Sequence, residues 1–285
     1  MSKNILVFFC LALLAPARET THPPTVFPGR DGLLLLATAH DGFALAADGS
    51  SRNADGTISE ARKIFPVASH GAIALAGTVS IQDPLGRPFR EEVNIARIAE
   101  TWLNAHPAAE IKIANREINV LAAASLNKFF ATRDPGVSGG KYKFAVIVAG
   151  HAEGKPILIV TRYFIPKAKG QLAREEKTSG PVLPGSLMVF GSTKVQTELV
   201  AGKSDALKEF KGEPSVKLFR SSRPADASVQ EYAALFDTIL RAAESDEGTR
   251  FVGGQSIVGP PNRIATVTTK DGFVWSKGRT SAAGR

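Results

Sequence analysis

The chain of 285 residues has a single cysteine, Cys10. One cysteine excludes an intrachain disulfide and any cysteine metal cage. Tryptophan and tyrosine are scarce, at two and three residues, against sixteen phenylalanines. Five scattered histidines show no HxxxH or HExxH spacing, so no zinc motif is present. A GxSxG nucleophile elbow and a complete phosphate loop are missing as well. No apolar run approaches the ~20 residues of a membrane-spanning helix. Basic residues exceed acidic ones, 35 against 27, but are scattered without interleaved aromatics, which argues against nucleic-acid binding.

What is present is enough apolar material, 44% of residues, for a sizeable core. Residues 1–17 stand apart. Lys3 precedes the apolar run from Ile5 to Ala15, and Ala15-Pro16-Ala17 supplies small residues at a cleavage spacing. This is the pattern of a secretory signal peptide, and it predicts export to the periplasm or the extracellular space. A buried N-terminal helix is the plainer alternative. Cleavage after Ala17 removes Cys10 and lowers the formal charge of +8 by one, through loss of Lys3. Residues 18–31 read as an irregular, Pro- and Thr-rich lead-in, residues 32–277 as the folded domain, and residues 278–285 as a loose tail.

Within the domain, Leu33–Ala39 and Phe43–Ala47 read as strands joined by an Asp41-Gly42 turn. Ile64–Val67 and Ala72–Ala76 form a second hairpin-like pair. Residues 91–130 have helical periodicity, broken by Pro107 into two helices. Strands are expected at Tyr142–Ala149, Pro156–Phe164 and Leu187–Phe190. Residues 165–184 read as an exposed loop, and a helix is expected from Ser192 to Val200. Ser228 and Glu231 have capping-box spacing before a helix reaching about Ala243. The last strands are Ile264–Thr268 and Phe273–Trp275. This order suits layered α+β packing, and the lack of strict βαβα alternation argues against a doubly wound parallel sheet.

The stretch from Asp41 to Gly77 carries the functional signal. Asp48 ends one strand, Arg62-Lys63 opens another, and Ala76-Gly77-Thr78 closes a third. This order resembles the amino-terminal half of proteasome β-type subunits, members of the N-terminal-nucleophile hydrolases. The resemblance implies a four-layer αββα sandwich of two stacked antiparallel sheets. It matches Asp48 and Lys63 to the family's supporting acid and lysine, and Gly77 to the glycine of the oxyanion site. Ser192 falls at a supporting serine. It implies no cofactor and no metal, a peptide or other amide as substrate where a member is active, and a ring-type homo-oligomer as assembly. In such a site a hydroxyl nucleophile is activated by the free α-amine and a lysine held by a carboxylate. Backbone N–H groups stabilise the oxyanion.

Counting back from Asp48 at the family spacing puts the nucleophile at about Gly32 or Leu33, and no Thr, Ser or Cys lies between Pro28 and Ala37. Thr38 is the nearest hydroxyl within the first strand, about 20 Å along it at ~3.3 Å per residue. At the positions of the family's C-terminal acid and serine stand Thr249 and Val252. Three functional expectations follow: a degenerate, non-catalytic member, an active threonine-type peptidase or amidase with a displaced nucleophile such as Thr38, or an unrelated periplasmic binding protein. Each matched residue also has a structural reading: Asp48 as a turn acid, Lys63 as a solvated strand end, Gly77 as a tight turn, Ser192 as a helix N-cap.

Overall fold

The computed structural model describes residues 25–28, 32–52, 58–68, 70–78, 80–81, 93–191, 213, 216, 224–244 and 261–276. The long apolar runs form the strands of two stacked sheets. The first sheet contains β1 (Thr25–Pro28), β2 (Leu33–Ala39), β3 (Gly42–Ala47), β13 (Leu187–Gly191), β14 (Arg263–Thr268) and β15 (Gly272–Ser276), in the order β1-β13-β2-β3-β14-β15. The second contains β6 (Ile64–Val67), β7 (Gly71–Gly77), β10 (Tyr142–Ala152), β11 (Lys155–Phe164) and β12 (Arg174–Ser179), in the order β12-β11-β10-β7-β6. Two ribbons flank them, β4 (Ser50–Arg52) with β5 (Ile58–Glu60) and β8 (Ser80–Ile81) with β9 (Val93–Asn94).

Successive strand side chains point to opposite faces, so each apolar run serves two cores. Leu34, Leu36, Phe43 and Leu45 of the first sheet meet Ile64, Ala72, Ala74, Ala145 and Ile147 of the second in the central layer. Their neighbours Leu33, Leu35, Ala44 and Ala46 face outward and pack under α3 (Val229–Glu244). Ile73, Leu75, Val146 and Val148 face outward from the second sheet, under α1 (Ile95–Ala105) and α2 (Ile111–Ala131). The result is the expected four-layer αββα sandwich. Burial on both faces explains why these strands read as continuous apolar runs and not as alternating ones.

The helix ends follow local chemistry. Asn94 caps α1, its side chain accepting from the Arg97 N–H at 2.9 Å. The turn around Pro107 separates α1 from α2. The capping box before α3 forms as expected: the Ser228 N–H donates to Glu231 Oε2 at 2.8 Å, and the Glu231 N–H donates to Ser228 Oγ at 3.3 Å. The Val229 N–H also donates to Asp41 Oδ1 at 2.9 Å, which pins the helix to the first hairpin.

Two expectations are corrected. Residues 25–28, read within an irregular lead-in, form β1 and pair in parallel with β13, so the first sheet is antiparallel except at this edge. Residues 174–179, read within an exposed loop, form β12 on the edge of the second sheet. Both are edge strands held by backbone pairing to a neighbour, and β12 is mostly exposed. Neither therefore needs an apolar pattern. The helix expected at residues 192–200 lies outside the described residues.

Leu36 is fully buried between the sheets, whereas Leu172 is 76% exposed. Leu36→Ala should cost about 2–5 kcal/mol and Leu172→Ala within about 0.5 kcal/mol, measured by urea unfolding. Equal costs at the two positions would be incompatible with this layering.

Candidate functional site

Strand β3 leaves the first sheet at Ala47, and Asp48 follows at once. Its N–H donates to the Leu33 carbonyl at 3.1 Å, so the acid stays beside the start of β2. Lys63 precedes β6 of the second sheet, and its carbonyl accepts from the Leu75 N–H at 2.8 Å. The two side chains meet between the sheet ends, with Lys63 Nζ 2.8 Å from Asp48 Oδ1. Their side chains are 4% and 0% exposed, so this is a buried ion pair linking one sheet to the other.

The remaining lone pairs of the carboxylate are also engaged. Oδ1 accepts from the Leu33 N–H at 2.6 Å and Oδ2 from the Ser50 N–H at 3.2 Å. Complete burial pushes the Asp48 carboxyl above its ordinary range, against the Lys63 ammonium and the two backbone donors, which favour the charged form. Arg62, next in sequence, turns the other way. It pairs with Glu100 of α1 at 3.2 Å and lies over the Phe65 ring. Strand alternation thus sends one member of the basic pair inward and the other to the helix layer.

Gly32 completes the constellation. It is buried, with φ +77°. A β-carbon at this position would sit 2.3 Å from Lys63 Nζ and 2.7 and 3.3 Å from the two Asp48 oxygens. Position 32 therefore points straight at the pair, and the ammonium occupies the space a side chain would need. Leu33, the other position reached by counting back from Asp48, packs its side chain into the outer core beneath α3. Gly191, at the end of β13, lies against Gly32 from the other side, where its own β-carbon would come within 2.0 Å of the Gly32 carbonyl oxygen.

The other singled-out residues are placed as follows. Gly77 ends β7 with φ +85°, two residues beyond Leu75, and a β-carbon there would meet the Lys143 carbonyl at 2.5 Å. Thr38 lies near the opposite end of β2, paired with Phe43 beside the hairpin turn. Its buried hydroxyl donates to the Leu183 carbonyl and accepts from the Ser186 N–H at 3.1 Å. The structure does not bring Thr38 to the Asp48–Lys63 pair. Ser192, Thr249 and Val252 lie outside the described residues. Glu244, which sequence reasoning missed, ends α3 close enough to feel the Asp48 charge. Burial pushes its carboxyl up, and the negative charges of Asp48 and Asp237 add to that, while Asn262 donates to it at 2.7 Å. Its only sequence signal is an acid in the last turn of a helix, where the helix dipole disfavours one.

No family model matches this chain, and no curated protein matches it. Among solved structures the chain is similar to the Anbu (Gly-1) mutant from Hyphomicrobium sp. strain MC1, with 15% identity, 89% of each chain covered and a TM-score of 0.46. The sandwich architecture rests on strand order and register, independently of that likeness.

Removing one partner leaves a buried charge unpaired. Lys63→Met should cost about 3–5 kcal/mol in urea unfolding, and the Asp48→Leu/Lys63→Met double variant should cost clearly less than the sum of the two single changes. Strict additivity would mean that the two groups do not interact.

Proposed function

We propose that this protein is a non-catalytic relative of the proteasome-type N-terminal-nucleophile hydrolases, exported and used as a scaffold or binding module. The observation that carries this reading is glycine at position 32. Asp48 and Lys63 meet as the support pair of such a site would. A side chain at position 32 would point at them, and this chain has glycine there.

The chemistry follows from that. An ammonium held by a carboxylate organises proton transfer from a hydroxyl, but it does not itself attack an amide carbonyl. Gly32 supplies the pair with no hydroxyl to act on. The ammonium closes the vacated space and bonds to the acid, so the charges serve cohesion between sheets. Thr38 supports the same reading, because its hydroxyl is engaged with backbone groups about 20 Å along the strand from position 32, at ~3.3 Å per residue. Export rests on the signal-peptide pattern of residues 1–17. Assembly with further copies of the chain would follow the resemblance, as for inactive subunits of that family.

The test is mass spectrometry of the purified exported protein, with and without a threonine-directed electrophile. An amino terminus at Arg18, no covalent adduct and no release of fluorophore from peptidyl amides are the expected results. A stoichiometric adduct, or a mature terminus at a Thr or Ser, would overturn the proposal.

Position 32 also makes a structural prediction. Gly32→Ala keeps the charges but adds a β-carbon against Lys63 Nζ at a positive φ. It should destabilise the chain by more than the ~1 kcal/mol typical of Ala at such a backbone angle, read from the urea midpoint. A neutral or stabilising effect would show that the pair has room for a side chain.

A further inference from the structure

The helix layer does not cover the whole outer face of the second sheet. Beyond α2, strands β11 and β12 border a cleft of about 660 Å³. Its floor is one face of β11, carrying Ile157, Ile159 and Thr161. Asn115, Asn119 and Val120 of α2 form one wall, and Glu175 and Lys177 of β12 the other. Lys112 and Arg116 stand at the rim.

The polar groups of this cleft are ordered from beneath. Tyr163 is fully buried, and burial, with the nearby Glu175 charge, pushes its hydroxyl pKa far up, so it remains an O–H donor. It donates to Asn119 Oδ1 at 2.7 Å. Asn119 Nδ2 donates to the Asn115 carbonyl at 2.7 Å, which only accepts and so sets the amide, and to Asn115 Oδ1 at 2.8 Å. With its oxygen occupied, Asn115 has its Nδ2 donor left over, and no residue among those described accepts from it. Thr161 is in the same condition: the residue is 1% exposed, yet its hydroxyl has no partner among the described residues. Asn115 is 6% exposed. Both groups line the cleft, so the two donors are available to an acceptor that enters it.

The charges and the apolar surface define what that is. Three cations, Lys112, Arg116 and Lys177, face the cleft against one carboxylate, Glu175. Lys112 and Arg116 also pair with Glu153 and Glu117, while Lys177 has no ion pair among the described residues. Ile157, Ile159 and the 56%-exposed Val120 supply an apolar strip. The volume lies within the usual range for small-molecule sites, which combine apolar lining with a few placed polar groups. We propose that this cleft binds a small amphipathic carboxylate, its head accepting from Asn115 Nδ2 and Thr161 Oγ1 in the field of Lys177 and Arg116, and its alkyl body along Ile157, Ile159 and Val120.

The probe is octanoate, titrated into the full chain by calorimetry and followed through the side-chain amide signals in nitrogen-15 NMR. Saturable binding is expected, with the Asn115 side-chain NH₂ signal moving. Octanol and octylamine should bind at least about tenfold more weakly, since they lack the charge the cleft favours. Thr161→Val keeps the shape and removes the hydroxyl, and should weaken octanoate by about fivefold or more. Arg116→Glu/Lys177→Glu alters only exposed positions, so the fold survives even if the buried variant does not, and it should abolish the preference for the anion. Absence of saturation, equal affinity for octylamine, or an exposed double variant that binds octanoate unchanged would each overturn the proposal.

Discussion

One buried contact, the Lys63 ammonium on the Asp48 carboxylate, joins the ends of the two sheets. Taking two charges out of water is costly, and their attraction offsets the cost only where geometry is good and the remaining lone pairs are bonded. Both conditions are met here. The first hairpin supplies the acid, the start of β6 supplies the base, and the N–H groups of Leu33 and Ser50 complete the carboxylate. Remove one member and the other is stranded in a dry layer, so the pair constrains the register of everything that reaches it.

That constraint extends to two glycines. Gly32 has φ +77°, where a side chain is strained, and Nζ stands where its β-carbon would go; Gly191 must be without a side chain because the Gly32 carbonyl lies against it. The sandwich itself is held by the apolar faces of β2, β3, β7 and β10 and not by this pair, so the architecture does not depend on any chemistry there. Once the pair is buried, deleting half of it is worse than keeping both.

Much of this was legible beforehand. Continuous apolar runs such as Leu33–Ala39 can only be strands buried on both faces or short buried helices, and the Asp41-Gly42 turn decides for a hairpin. The break at Pro107 and the box at Ser228 and Glu231 mark helix limits through backbone hydrogen bonding, which is local. The edges were not legible. Strands β1 and β12 exist because a neighbour offers unpaired backbone groups, and backbone pairing leaves little trace in side-chain composition. Glu244 was missed for a related reason: its proximity to Asp48 is created by the packing of α3 across the first sheet.

The order of elements, the layered class, and the lack of Thr, Ser or Cys between Pro28 and Ala37 follow from the sequence alone, because turn chemistry, periodicity and residue identity are local properties. Which of Gly32 and Leu33 faces the charges was decided only by the fold. So were the inward turn of Lys63 beside an outward Arg62 and the amide chain from Tyr163 to Asn115. Each depends on two segments far apart in the chain meeting at ångström range, a distance that no spacing along the sequence specifies.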